Sequence, residues 1–361
     1  MQTSRDSFFD VLRIVAILLV ITSHYSYMFD NSTVLYFPRE YLTGGIGRLG
    51  VSLFFMISGA LTYLSLRSST TLEYYRRRAI SVLVPYNITW IFMGLLILAL
   101  TPFFVYPYLP LQELLNGQRS LLSLVPTILG FDHYLHGVYG IHTAYFTGEW
   151  FIGCIILLYI LSPLLFGAMI RSPGWSIAIV LLASVLAYDK NIENPYWSAQ
   201  VRVGDFMAGM VFVHFQPWFI RHCRRLALVG VFIVIGGVML ADPLHRSVRT
   251  VLFPLMPISM LFSVAFFFIL LTIWQWVQPF FHSKLCSQII SSLASRAYII
   301  MLIQHVVVIF ISANLNMAVL NGWQATLLFL AVLLGTERLS CLIKPLSVKG
   351  EKILLRYGHQ R

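Results

Sequence analysis

Charged residues are scarce in this sequence. Asp, Glu, Lys and Arg make up 11% of its 361 residues, whereas soluble domains carry about 25%. Hydrophobic residues make up 58% of the chain, and the mean hydropathy is +0.79. The shortage of charge excludes an ordinary soluble globule and predicts a polytopic membrane protein.

Cysteine is also rare. The four cysteines are Cys154, Cys223, Cys286 and Cys341. None forms a CxxC pair, so the pattern predicts neither a disulfide framework nor a cysteine zinc site. The histidines of the central loop are His133, His136 and His142. They lack the spacing of a zinc-binding helix, and we predict no metal.

The chain has no single basic face, although its formal net charge is +11. Lysines and arginines occur in short clusters between apolar runs, which is the pattern of membrane topology signals. We therefore predict that this protein is embedded in a lipid bilayer and does not bind nucleic acid.

Apolar runs predict an all-α bundle of about ten transmembrane helices in a single domain, 1–361, with no fused soluble domain. The predicted spans are 8–28, 45–66, 79–100, 149–170, 174–188, 199–215, 226–241, 251–276, 295–316 and 322–343. Prolines interrupt 101–148, and the apolar stretch 121–131 within it is too short to cross. We predict a re-entrant or interfacial segment there. No cleavage site follows the first run, so we expect a retained helix.

Positive charge alternates between the connections. The even-numbered connections and the tail hold Arg67, Arg76, Arg77, Arg78, Arg171, Arg221, Arg224, Arg225, Lys284, Lys344, Lys349, Lys352, Arg356 and Arg361. The other side holds Arg39, Arg119, Lys190, Arg246 and Arg249. Because cytoplasmic loops retain positive charge, we predict that both termini are cytoplasmic and that 101–148 faces outward.

The first predicted helix carries Asp10, Arg13 and His24. At 100° and 1.5 Å per residue, Arg13 and His24 share one face about 16 Å apart, and Asp10 lies on that face too. Ionisable residues in a span usually face a bundle interior or a wet cavity. Two interpretations stay open: a polar path across the membrane, or an interfacial Asp10–Arg13 pair with an unrelated histidine. Asp10 lies about 21 Å from His24 and cannot orient it, so we expect a partner such as Glu149 or Asp205.

Five motifs follow one another along the chain. They are DVLR at 10–13 with His24 eleven residues after Arg13, GGIGRLGVSLFFMISGALTY at 44–63, YYRRRAISVLVPYNITW at 74–90, EWFIGCIILLYILSPLL at 149–165 and FMAGMVF at 206–212. In this order they resemble the motifs of the membrane-bound acyltransferase 3 family. The chain departs from the family in AYIIMLIQHVV at 297–307, where Gln304 stands at the place of a common histidine and His305 follows it.

The resemblance implies an O-acyltransferase of the bacterial inner membrane. It would move an acyl group, most often acetyl, from cytoplasmic acyl-CoA to a hydroxyl of an envelope polysaccharide such as O-antigen or exopolysaccharide, or of a lipid-linked precursor. His24 would be the general base or a nucleophile that forms an acyl-histidine. Arg13 would bind the coenzyme or the thioester oxygen, and Asp10 would hold Arg13.

Other residues have two interpretations each. The cluster Arg76, Arg77 and Arg78 either docks coenzyme phosphates or only anchors the helix at the membrane. Glu149 either acts at the site, on His24 or on a sugar hydroxyl, or is an acid stabilised by a helix N-terminus. Arg202 and Asp205 form either a structural pair or part of a site.

A competing hypothesis is an exporter or flippase of a glycan or lipid that transfers no acyl group. A charged first helix and an aromatic loop at 131–146 would suit that function equally. The Arg13–His24 pair and the arginine cluster favour the enzyme, since an exporter needs neither a coenzyme site nor a proton acceptor. The sequence does not specify the oligomeric state.

Overall fold

The computed structural model describes residues 3–29, 39–109, 111–141, 143, 149–186, 195–241, 256–281 and 283–357. Side chains of residues 3–6 and 39–45 are not described, nor are those of a few residues near other helix ends. The described residues are 88% helical and contain no strand. The predicted all-α class is therefore confirmed.

Thirteen α-helices lie in the described ranges. They are α1 Thr3–Tyr27, α2 Arg39–Ser68, α3 Thr71–Leu100, α4 Gln112–Leu115, α5 Leu124–Ile128, α6 Asp132–Tyr139, α7 Trp150–Arg171, α8 Pro173–Leu186, α9 Ala199–His214, α10 Gln216–Ala241, α11 Met256–Val277, α12 Lys284–Asn314 and α13 Gly322–Tyr357. Short 3-10 turns lie at Leu121–Ser123, Pro195–Trp197, Gln278–Phe281 and Met317–Val319.

Seven stretches in the described part of the chain are long and apolar enough to cross a membrane. They are Ser7–Tyr27, Ile46–Ser68, Thr71–Leu100, Trp150–Arg171, Met260–Phe281, Lys284–Asn314 and Gly322–Arg356. The other predicted spans coincide with α8, α9 and α10. With 14 and 16 residues, α8 and α9 rise only about 21 and 24 Å, less than the roughly 30 Å hydrocarbon core. The count of ten stays a prediction.

The segment 101–148 contains only short helices in its described residues. Its stretch 121–131 holds a 3-10 turn followed by α5, which has 5 residues. Such elements cannot cross a bilayer, as the prolines and the short apolar run predict. The side of the membrane that this segment faces stays a prediction.

A close helix contact joins α2 and α9 through glycines. A Cβ atom added to Gly59 would overlap the backbone carbonyl of Phe206, and one added to Gly209 would overlap that of Met56. Small residues allow membrane helices to approach backbone to backbone. This contact fixes α2, which lines both cavities described below, against the buried helix α9.

We expect Gly59→Ala to destabilise the protein by about 1 to 3 kcal/mol, because the added methyl group has no space beside Phe206. Gly167→Ala is the matched control, since this glycine lies inside α7 and a Cβ atom added there would meet no neighbouring side chain or helix. Thermal unfolding in detergent measures both. Equal unfolding temperatures for the two variants would contradict the close contact.

Candidate active site

His24 lies at the C-terminal end of α1 and faces a cavity of about 270 Å³, here called the His24 cavity. Polar and aromatic side chains from five helices and a turn surround it. They are Ser23, His24, Tyr27, Arg48, His133, Glu149, Trp150, Phe151, Tyr196, Trp197 and His305, with Val20, Gly47, Val51 and Met301. The far end of the predicted polar stripe thus faces the interior of the bundle and not lipid.

Arg13 faces a second cavity of about 360 Å³, here called the Arg13 cavity. One guanidinium comes from α1 and another, Arg78, from α3. The remaining lining residues are Phe54, Ile57, Ser58, Leu61, Ser81, Val82, Phe151, Ile155, Tyr159, Ala294, Ser295, Tyr298 and Met301. This cavity combines two cations with apolar walls and several hydroxyl groups.

Phe151 of α7 and Met301 of α12 line both cavities. Both side chains are buried. These two side chains therefore form a partition shared by the two cavities, which follow one another along α1.

Asp10 and Arg13 form the predicted ion pair. Arg13 Nη1 donates a hydrogen bond to Asp10 Oδ1 one turn away on α1. Both side chains are partly exposed, at 28% for Arg13 and 22% for Asp10. The carboxylate thus holds the Arg13 side chain at the edge of its cavity, while Asp10 itself does not line that cavity.

The partner of His24 is Gln304 on α12. His24 Nδ1 lies 2.9 Å from Gln304 Oε1, and Gln304 is fully buried. The neighbouring His305 places its ring centroid 4.7 Å from that of His24. From the sequence, Gln304 was noted only as a departure from a family pattern, and no role was predicted for it.

Glu149 lies immediately before α7, outside the spanning segment, and lines the His24 cavity. Its carboxyl is buried against the Gln304 side chain, which acts on it as a hydrogen-bond partner. Burial raises the pKa of Glu149 well above its ordinary value, against the lowering effect of Gln304. Its Oε1 atom has no hydrogen-bond partner among the described residues. Glu149 is therefore connected to His24 through the Gln304 side chain, which contacts both.

The three arginines of α3 have three different surroundings. Arg78 lines the Arg13 cavity, where its guanidinium lies 5.0 Å from the ring centroid of Tyr159. Arg77 is exposed and paired with Glu73. Arg76 donates a hydrogen bond of 2.6 Å to the backbone carbonyl of Leu355 near the end of α13. Only Arg78 of this cluster lines either of the two cavities.

Residues 6–343 match the family model of the acyltransferase domain that defines the acyltransferase 3 family. The chain belongs to the acyltransferase 3 family. Membership confirms the resemblance of the sequence motifs and supports acyltransferase activity at a membrane. No curated protein and no solved structure matches this acyltransferase 3 chain.

Asp205 does not contact His24 in this acyltransferase 3 protein. It lies on α9, where Arg202 Nη1 donates a 2.7 Å hydrogen bond to Asp205 Oδ2 and Ser52 donates one of 3.0 Å. The Arg202 guanidinium also lies 3.7 Å from the ring centroid of Tyr196. Both charged side chains are completely or almost completely buried, at 0% and 1% exposure. The pair is part of the core behind the His24 cavity.

Aromatic rings form one wall of the His24 cavity in this acyltransferase 3 protein. Trp150 and Trp197 lie nearly parallel, with an interplanar angle of 7° and ring centroids 5.8 Å apart. His133 of α6 packs beside Trp197 at 4.7 Å. Burial, together with the nearby His305 and His136, lowers the pKa of His133 to about 3. This histidine is therefore neutral at physiological pH.

The 131–146 loop lies only partly within the described residues. His133 lines the His24 cavity, but His142 lies outside the described residues. Within the described ranges, no group of three histidine, cysteine or acidic side chains is arranged to hold a metal ion. Among the described residues, Trp150, Tyr196 and Trp197 form the aromatic wall of the cavity.

Proposed function

We propose that this acyltransferase 3 protein is an O-acyltransferase of the bacterial inner membrane. It moves an acyl group, acetyl in the first instance, from cytoplasmic acyl-CoA to a hydroxyl of an envelope polysaccharide or its lipid-linked precursor. The supporting observation is the pair of cavities that meet at Phe151 and Met301, one with two cations and the other with an imidazole.

The Arg13 cavity suits the coenzyme end of the donor. Guanidinium groups bind phosphate oxygens through charge-assisted, often bidentate hydrogen bonds, and Arg13 and Arg78 both line this space. The apolar walls suit a pantetheine arm directed toward the partition at Phe151 and Met301. In this proposal the Arg13 end of α1 faces the cytoplasm, and both chain termini lie on that side.

The His24 cavity suits the acceptor and the transfer step. As the acceptor hydroxyl attacks the thioester carbonyl, the His24 imidazole takes the hydroxyl proton. The carbon–sulfur bond breaks, an ester forms, and the proton passes from the imidazole to the departing thiolate. Aromatic and polar side chains around the cavity suit a sugar, whose ring has an apolar face and hydroxyl edges.

Acyl esters on the envelope glycan test the proposed function. Membranes that contain the protein are expected to transfer labelled acetyl from acetyl-CoA to glycan, and mild alkali is expected to release the label. Membranes lacking the protein provide the baseline. Glycan that changes its side of the membrane with no gain of ester would support the exporter instead.

Alanine substitution of Arg13 or Arg78 is expected to weaken acetyl-CoA binding about 10-fold or more, because each removes a charge-assisted contact of about 1.5 to 3 kcal/mol. Titration calorimetry on protein in detergent measures the dissociation constant. Arg77→Ala is the matched control, since Arg77 is exposed and paired with Glu73. An Arg77 variant that loses as much affinity as the Arg78 variant would contradict the assignment of Arg78.

A further inference from the structure

We propose that Gln304 is the positioning residue for His24, fixing which imidazole nitrogen carries the proton and which faces the reaction. This inference rests on the proposed function of His24 as a base. It adds a residue from a helix that is distant in sequence and to which the sequence motifs assign no role.

The hydrogen-bonding roles follow from the atoms that meet. Gln304 Oε1 lies 2.9 Å from His24 Nδ1. An amide oxygen has no proton to donate, so Nδ1 must be the protonated nitrogen of the neutral ring. The lone pair then resides on Nε2, the nitrogen left to accept a proton from a substrate hydroxyl.

The Gln304 side chain is itself held in place. It is fully buried, its Nε2 lies 3.4 Å from the backbone carbonyl of Met301, and the Glu149 carboxyl lies against it. These contacts hold the amide nitrogen on the side away from His24, which leaves the amide oxygen toward the imidazole. Glu149 therefore supports the orientation of Gln304, and Gln304 sets that of His24.

A neutral amide gives this arrangement a specific property. It does not titrate, so the hydrogen bond to Nδ1 persists over the whole pH range in which His24 changes charge. An amide also stabilises an imidazolium less than a carboxylate does, because it carries no net charge. The titratable groups that face the same space from neighbouring elements are Tyr27, Arg48, His133, Glu149, Tyr196 and His305.

Two substitutions at Gln304 test the inference through catalysis. Labelled acetyl-CoA is the donor, and membranes from the expressing cells supply the acceptor. Gln304→Leu removes the acceptor at Nδ1, and we expect kcat to fall about 10- to 100-fold, as when a metal-binding histidine loses its hydrogen-bond partner, with KM for acetyl-CoA unchanged. Gln304→Glu keeps an acceptor, and we expect part of the activity to return and the acidic limb of the kcat profile to move to higher pH.

A second measurement needs no acyl transfer and separates this inference from the proposed function. Diethylpyrocarbonate modifies an unprotonated imidazole nitrogen, and peptide mass spectrometry quantifies the modification of His24 against pH. We expect the pH midpoint to increase in the order Gln304→Leu, wild type, Gln304→Glu. The order is expected even if the protein transfers no acyl group, because it reports the imidazole alone.

Two results would overturn the role of Gln304. One is a folded Gln304→Leu protein with wild-type kcat and an unchanged midpoint. The other is a Gln304→Glu protein whose pH midpoint of His24 modification equals that of wild type. This second result tests the role of Gln304 even if the leucine variant does not fold. Thermal unfolding in detergent establishes which variants are folded.

Discussion

Replacing His24 with alanine is expected to reduce acyl transfer about 10²- to 10⁴-fold, the usual contribution of a positioned general base. The loss should appear in kcat, whereas acetyl-CoA binding should persist, because the coenzyme contacts lie in the Arg13 cavity beyond Phe151 and Met301. Acyl esters on glycan, quantified by mass spectrometry at equal membrane levels of protein, measure the effect.

His222→Ala is the matched control for this substitution. His222 lies on α10, where its Nδ1 contacts the backbone carbonyl of Trp218 at 2.8 Å, and it lines neither cavity. We expect wild-type ester content in this variant. Unchanged ester content in the His24 variant would exclude His24 as the catalyst.

A labelling experiment separates the two chemical roles considered for His24. A general base never carries the acyl group, whereas a nucleophile forms an acyl-histidine in the absence of acceptor. Protein incubated with labelled acetyl-CoA alone is therefore expected to show no label on the His24 peptide. A labelled peptide that loses its label when acceptor is added would establish the covalent route.

The lengths of the apolar runs allowed much of the fold to be predicted. The long apolar runs that begin near residues 8, 45, 79, 149, 295 and 322 coincide with helices long enough to span. Between these runs, α8 and α9 are apolar but too short for length alone to identify them as spans. Hydropathy records the apolar character of a helix, but it does not show whether lipid or other helices surround it, and α9 is buried among other helices.

The arrangement of the candidate site was predictable where its residues share a helix. Helical periodicity places Arg13 and His24 on one face, and each lines a cavity of the bundle. Gln304 is 280 positions away from His24, and no local pattern connects them. The different surroundings of the three α3 arginines were unpredictable for the same reason. The carbonyl group that Arg76 binds belongs to the distant helix α13.

Asp205 shows how a charged residue near a site can serve the fold instead. Sequence made it a candidate partner of His24, but it binds Arg202 and Ser52 in the core. We expect Asp205→Ala to destabilise the protein by about 3 to 5 kcal/mol, because removing one member of a buried pair leaves the other charge uncompensated. Thermal and detergent-induced unfolding measure this loss.

The double substitution Arg202→Met and Asp205→Leu distinguishes a structural pair from a catalytic one. Removing both charges together eliminates the uncompensated group, and apolar replacements of buried pairs are often neutral or stabilising. We expect the double variant to regain most of the stability lost in Asp205→Ala and to retain acyl transfer, since His24 and Gln304 keep their contact. A double variant that is stable but inactive would instead assign Arg202 or Asp205 a direct part in the reaction, through the Trp150 and Tyr196 rings that Arg202 touches.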